Sequence, residues 1–212
     1  MNPPNQYQLR LLSEALICIR YADYAPYLTL KRLFLERQDR HPAQFCREFT
    51  LFYGLNTGGV TEAFKKRYFE LLFDLKIEEG VDPYTPILTE LYEIPRRQGD
   101  KALQCSFVSK LVAMHDETRP LYDRHVSDFF GITVPPNANV QFRIANFVAD
   151  IERLRQTYSD WAQNEQYLII LQKLIKQHPT LNDCASPRLA DLLVWTVGRN
   201  KLGSSPAREP QE

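Results

Sequence analysis

The chain has 212 residues, of which 44% are hydrophobic and 12% aromatic, enough to bury a sizeable core in one domain or in two closely packed lobes. Lysine plus arginine and aspartate plus glutamate both number 26, so bulk charge indicates no polyanionic partner, and only a local patch could bind one. No apolar run approaches the roughly 18 residues of a membrane span. The start MNPPNQYQLR lacks the regions of a signal peptide, so we expect a cytoplasmic protein.

Apolar residues recur at helical spacing along almost the whole chain, and helix is predicted throughout. Clear stretches in chain order are Leu9, Leu12, Leu16 and Ile19, then Phe64, Tyr68, Leu71, Leu72 and Leu75, then Ile144, Phe147, Val148, Ile151 and Leu154. Breaks are expected at 24–26, 40–42, 56–59, 79–83, 99, 118–120, 134–137, 179–187 and 203–206. The pattern predicts an all-α domain over 1–202 with about ten helices, and a mobile tail over 203–212.

Two features in the middle of the chain bear on its organisation. The apolar run 129–134 is short and ends in prolines, so a loop is expected there rather than a strand. The segment 134–140, VPPNANV, is a candidate hinge between two lobes, with Asn137 able to cap the helix that follows.

Neither the cysteines nor the glycines indicate a cofactor or a metal. Four cysteines are widely separated and lack C-x-x-C spacing, so we expect small buried residues in a reducing compartment rather than disulfides or a zinc site: Cys18, Cys46, Cys105 and Cys184. The pair Gly58-Gly59 lacks the Gly-Lys-Ser/Thr of a phosphate loop, so a helix end and turn are expected.

The segment from Ser106 to Ile132 is the most informative for chemistry, because it sets a lysine and an aspartate across a short connection between two helical patterns. Lys110 starts beside the apolar face of its helix, where burial favours loss of its proton, and Asp123 follows shortly after Pro120. A nearby carboxylate can accept a proton or stabilise a cation. The alternative, from spacing alone, is a helix-end charge and an N-cap.

These residues resemble the central element of the helix-hairpin-helix DNA glycosylases, especially the bacterial proteins similar to 8-oxoguanine DNA glycosylase. In that family a Ser/Thr-Lys pair opens one helix and a Tyr/Val-Asp pair opens the next, matching Ser109-Lys110 and Tyr122-Asp123. The stretch from Arg188 to Trp195, with Gly198-Arg199, resembles the family's closing helix. The family's two glycines ahead of the lysine have no counterpart, since the nearest glycine is Gly99.

The resemblance implies two lobes flanking a cleft, and an enzyme that flips a damaged or modified base out of double-stranded DNA and excises it. It makes Asp123 the group that stabilises positive charge on the sugar, and Lys110 either the attacking amine or a phosphate ligand. It places Trp195 over the base. Met114, one turn after Lys110, could form the opposite wall, and Tyr122 is a further candidate stacking partner, although most aromatic residues at helical spacing belong to the core. The identity of the excised base is left open between an oxidised purine and a hypermodified cytosine of phage DNA. The second would indicate a role in antiviral defence.

Cationic and hydrogen-bonding residues are enriched around the two candidate catalytic residues and could anchor DNA phosphates. They are Arg96, Arg97, Lys101, Arg119, Arg124, His115 and His125. The alternative is a solvated face, because Asp100, Asp116 and Glu117 lie among them.

Two rival functions remain open at this stage. His115-Asp116 is the seed of the metal site in the His-Asp phosphohydrolases, but only His41 lies upstream of it. A helical nucleic-acid-binding protein without activity is the other, and the missing hairpin glycines favour it slightly. We expect a monomer that uses no cofactor and no metal.

Overall fold

The computed structural model describes residues 3–36, 42–133 and 138–203, with side chains described up to residue 200. His41, most of the predicted hinge at 134–140 and all but the first residue of the predicted tail lie outside this part of the chain. The described residues contain ten α-helices and no β-strand, which confirms the all-α prediction. None of these helices is long and apolar enough to cross a membrane.

The helices follow one another through short connections, with 3₁₀ turns at Leu16–Cys18 and Pro179–Leu181. In chain order they are α1 (Gln6–Ala15), α2 (Tyr21–Leu35), α3 (Pro42–Phe52), α4 (Glu62–Asp74), α5 (Tyr84–Tyr92), α6 (Cys105–His115), α7 (Arg124–Phe130), α8 (Val140–Trp161), α9 (Glu165–Gln177) and α10 (Ser186–Gly203).

Short polar side chains open many of the helices by accepting a backbone N–H of the first turn, which would otherwise have no partner. In α1 the cap is reciprocal, because Asn5 accepts from the Gln8 N–H at 2.8 Å while the Gln8 side chain accepts from the Asn5 N–H at 3.0 Å. Single caps open α4, α7, α8 and α9, from Thr61, Asp123, Asn139 and Asn164. The cap of α8 is thus Asn139 and not Asn137, because the helix begins at Val140.

Several local predictions were wrong. Helix α2 runs through Pro26, which the sequence marks as a break, because the apolar residues after it continue the helical period onto the core. Residues Phe129 and Phe130 belong to α7, which ends at Gly131 in the left-handed conformation with φ +64°. All four cysteines are free as expected, but Cys18 is exposed and the others are only half-buried.

The buried apolar side chains form two hydrophobic clusters. The first cluster gathers α3 to α6, the second half of α2 and the first half of α8, with Phe49, Tyr68 and Val108 at its centre. The second cluster gathers α1, α7, α9 and α10 with the second half of α8, around Trp161 and Leu193. Because α2 and α8 supply side chains to both clusters, they tie the two parts together.

Candidate functional site

A cavity of about 560 Å³ lies where the two hydrophobic clusters meet. Phe52 and Tyr53 line it from the first cluster, and Tyr24, Leu181 and Leu189 line it from the second. Helices α2, α6, α7 and α10 and the connection between α6 and α7 supply the remaining wall. Its volume falls in the range of about 300–1,000 Å³ typical of small-molecule sites.

Lys110 reaches the cavity from the second turn of the buried helix α6. It follows Phe107 and Val108 on α6, and the side chain is only 8% exposed. Its Nζ donates to the Ser106 Oγ at 2.8 Å and lies 5.5 Å from the centre of the Tyr53 ring. Burial lowers the pKa of Lys110, and the negative charge of Asp123 opposes that shift.

The amine of Lys110 therefore gives up its proton more readily than an exposed lysine. No ion pair stabilises the protonated form of this amine, because no carboxylate of the described residues forms one with Lys110. A lysine in this state can act as a nucleophile or a base.

Asp123 combines the two roles that the sequence left open. It is the N-cap of α7, where its Oδ1 accepts from the Val126 N–H at 3.1 Å, and it also lines the cavity. Its Oδ2 accepts no hydrogen bond from a described residue and is not sealed from solvent. One oxygen thus fixes the carboxylate while the other remains available to a ligand.

Trp195 lines the cavity from α10, as the resemblance implies. The Arg199 guanidinium lies 4.6 Å from the centre of its ring, and the His125 ring meets it edge-on at 6.0 Å. Arg199 is in turn paired with Asp23 of α2, so the tryptophan is held between charged and aromatic neighbours. Burial raises the pKa of Asp23, but the Arg199 hydrogen bond helps to make the net shift downward.

The other two predicted pocket residues do not line the cavity. Met114 lies one turn beyond Lys110, about 6 Å further along α6, and packs partly buried against the first cluster. Tyr122 precedes Asp123, whose backbone is extended, so the two side chains point in opposite directions. The Tyr122 ring packs edge-on against Phe147 of α8, with the ring centres 5.0 Å apart.

Of the seven candidate DNA-binding residues, Arg124 and His125 line the cavity. The other five do not, and each has a protein partner: Arg96 with Asp100, Lys101 with Glu93, Arg119 with Asp116, the Arg97 Nε with the Val60 carbonyl, and a His115 ring nitrogen with the Leu72 carbonyl. Three of these partners are carboxylates, as the alternative of a solvated charged face expects, whereas Arg97 and His115 interact with backbone carbonyls. A contact with DNA stays a prediction for all five.

The His115-Asp116 pair is not arranged as a metal site. The Nε2 of His115 lies 2.6 Å from the Leu72 carbonyl oxygen, whereas Asp116 accepts from Thr118 and Arg119. Within the described ranges, no group of three His, Cys, Asp or Glu side chains could hold a metal ion.

Sequence reasoning missed a polar wall that α10 contributes. Arg188 and Asp191 are 6% and 3% exposed, and an Arg188 Nη2 lies 2.9 Å from the Asp191 Oδ2. Arg188 also donates to the backbone carbonyls of Glu117 and Arg119. The signal was two opposite charges three residues apart in an apolar stretch, a spacing that places both on one buried helix face.

Asp191 joins three elements through its carboxylate. Besides Arg188 it accepts from the Leu121 N–H at 3.1 Å and from the Tyr158 hydroxyl at 3.1 Å. Burial raises the pKa of Asp191 to about 6, although these donors act in the opposite direction. Burial lowers the pKa of Arg188, but the Asp191 carboxylate makes the net shift upward.

No protein-family model, no curated protein and no solved structure matches this chain. Its function is therefore inferred from the geometry of the cavity.

Proposed function

We propose that the protein is a DNA glycosylase that extrudes a damaged or chemically modified base from double-stranded DNA and excises it, leaving an abasic site. The observation that carries the proposal is that Lys110 and Asp123 line one cavity together. A lysine whose pKa is lowered by burial and a carboxylate with one available oxygen are the two groups that this reaction uses.

The reaction needs a carboxylate because the departing base leaves positive charge on the deoxyribose ring. The Asp123 Oδ2 can stabilise that charge without rearrangement, because the Val126 N–H holds Oδ1 in place. The Lys110 lone pair attacks the anomeric carbon, the bond from that carbon to the base breaks, and the base leaves with the bonding electrons and takes up a proton. Nζ then loses a proton, its lone pair forms a double bond to the anomeric carbon, and the bond from that carbon to the ring oxygen breaks, with the oxygen taking up a proton. The product is a protonated Schiff base on an opened sugar, which permits strand cleavage.

The aromatic lining suits an extruded base. Trp195, Phe52 and Tyr24 present ring surfaces to the cavity, and a flipped base is held by stacking between such side chains. The volume of about 560 Å³ leaves room for a base that carries an added group. An oxidised purine and a hypermodified phage cytosine are both included in the proposal, and the latter would make the protein an antiviral defence enzyme.

The arrangement of the two clusters supports the comparison with the helix-hairpin-helix glycosylases. Those enzymes place their site between two helical lobes, and here the cavity lies between two hydrophobic clusters. Asp123 opens α7 as the family pattern implies, whereas Lys110 lies inside α6, five residues after its start. We further propose that the protein acts as a cytoplasmic monomer.

A binding protein without activity is the second candidate. It is favoured by the lack of glycine between Gly99 and Lys110, because the hairpin amides that would grip a phosphate are then crowded by side chains. In that case the Ser106 hydroxyl simply holds the amine of Lys110 in place.

The Asp123→Asn variant separates the two candidates. Asparagine caps helices as well as aspartate does, so the variant keeps the bond to the Val126 N–H and removes only the charge. We expect base release from a panel of modified genomic DNAs, scored as abasic sites, to fall at least about 100-fold, while DNA affinity stays within a few-fold.

The matched control is Asp128→Asn, on the same helix. Asp128 is exposed, pairs with Arg124 and does not line the cavity, so its loss should leave base release within about twofold. Equal activity of the Asp123→Asn and Asp128→Asn variants would remove Asp123 from the mechanism. Borohydride trapping on cleaved DNA tests Lys110, and an active enzyme that fails to trap would make Lys110 a binding residue only.

A further inference from the structure

The lining of the cavity includes two hydrogen-bond donors that the protein itself leaves unused. One is the Tyr53 hydroxyl, which forms no hydrogen bond with a described residue and is not sealed off by packing. The other is the Nη1 of Arg188, because the bonds of this guanidinium to Glu117, Arg119 and Asp191 use only Nε and Nη2. We call Tyr53 and Arg188 the donor pair.

The two members of the donor pair belong to one local environment. The charge of Arg188 acts on both the Tyr53 and the Tyr27 hydroxyls, and these tyrosines line the cavity beside it. The Tyr27 hydroxyl is already engaged, since it donates to Glu117. The Lys110 amine lies 5.5 Å from the centre of the Tyr53 ring, so Tyr53 is a neighbour of the candidate nucleophile as well as of Arg188.

The charge around the donor pair indicates a neutral ligand. Asp191 compensates Arg188 within the same wall, so the guanidinium offers N–H groups without a net positive field. The other charged residues of the lining balance one another, Asp23 and Asp123 against Lys110 and Arg124, so no net positive field in the cavity favours a phosphate or a carboxylate. A neutral oxygen acceptor satisfies the donors at the least electrostatic cost.

We infer that Tyr53 and Arg188 determine specificity by binding a keto oxygen of the extruded base, so that the site selects keto bases over bases with an exocyclic amine at that edge. An exocyclic amine is itself a hydrogen-bond donor. It would face the two donors of the protein, and all three groups would be removed from water without an acceptor. The inference rests on the proposed function, because it takes the ligand of the cavity to be a nucleobase.

Hypoxanthine and adenine are the sharpest probe pair, since they share one ring system and differ by a keto oxygen in place of an amine. Their affinities for the intact protein are measured by calorimetric titration, without DNA. We expect hypoxanthine to bind at least about fivefold tighter than adenine, which is the lower end of the discrimination given by a good hydrogen-bonded pair.

The Tyr53→Phe variant removes the hydroxyl and keeps the ring beside Lys110. It should weaken the affinity for hypoxanthine by at least about threefold and leave the affinity for adenine within twofold. The Arg188→Lys variant keeps the charge beside Asp191 but lacks the planar fork, and should also reduce the preference. The matched control is Tyr7→Phe on α1, outside the cavity lining, which should change neither affinity. A helical circular dichroism spectrum equal to that of the unmodified protein qualifies each variant.

Equal affinities for the two bases, no detectable hypoxanthine binding at millimolar concentration, or a Tyr53→Phe variant that weakens both bases alike would overturn the inference. These outcomes are binding affinities, so they do not depend on whether the protein excises a base. A keto preference in a protein that releases no base from any duplex would refute the proposed function and leave the donor pair in place. Base release without a keto preference would refute the donor pair alone.

Discussion

The contact between α7 and α10 at Gly198 allows a prediction that can be worked from distances. A Cβ added to Gly198 would lie 2.6 Å from both the Cβ and the Nδ1 of His125, whereas ordinary contacts begin at 3.4 Å. The Gly198→Ala methyl group thus needs about 0.8 Å more space. The Cβ of His125 is fixed to its backbone, so rotating the ring cannot supply the space, and the two helices must move apart.

The cost follows from what that separation loses. A gap of about 0.5–1 Å forfeits a quarter to a half of the dispersion energy between facing atoms, and overpacking costs about 1–3 kcal/mol. Alanine is favoured over glycine inside a helix by about 1 kcal/mol, which offsets part of this cost. We therefore expect Gly198→Ala to lower the free energy of unfolding by up to about 2 kcal/mol and the Tm by up to about 8 °C.

Thermal and urea denaturation measure this loss, and a double-mutant cycle identifies its cause. His125→Gly alone should cost a few tenths of a kcal/mol in helix propensity, plus the contact of its ring with Trp195. In the double variant, glycine at position 125 removes the side chain that the new methyl group at position 198 would meet. The two substitutions should therefore couple favourably, by about 0.5–3 kcal/mol. A Gly198→Ala protein as stable as the unmodified one, or an additive double variant, would refute the reasoning.

Two further predictions concern buried charges. Lys110→Met should raise the free energy of unfolding at pH 7 by roughly 1–3 kcal/mol, because burial lowers the pKa of Lys110 and so penalises its charged form. That gain should shrink as the pH rises towards the ordinary lysine pKa, where the unfolded chain also loses its proton; a gain that grows with pH would contradict it. Arg188→Met should cost about 3–5 kcal/mol at pH 7, since it leaves the buried Asp191 carboxyl group without its cationic partner. Because burial already raises the Asp191 pKa to about 6, part of that stability should return as the pH falls from 7 to 5; an equal loss at both values would count against it.

The helices and the two candidate catalytic residues could be predicted from sequence because their signals are local. The apolar period places Lys110 on a buried face, and an aspartate after a proline-containing connection indicates the start of a helix. Pro26 was misjudged because the local signal for a break was overridden by packing on both sides of it. Tertiary contacts decide such cases, and a single sequence does not display them.

The rest of the site could not be predicted, because its parts are remote from one another in the chain. Tyr53 and Arg188 are 135 positions apart, and only the packing of α10 against the connection after α6 brings them to one wall. Met114 illustrates the converse. Helical spacing puts it on the same side of α6 as Lys110, but the helix has left the cavity one turn later.

The energetics of Lys110 argue for chemistry over packing. A lysine that is 8% exposed and has no carboxylate partner among the described residues costs stability, and an apolar residue would fill its position on α6 without that cost. An asparagine at position 123 would cap α7 equally well, so the helix does not need the charge of Asp123. Two charges that folding does not require meet at one cavity, and the proposed reaction gives both of them a use there.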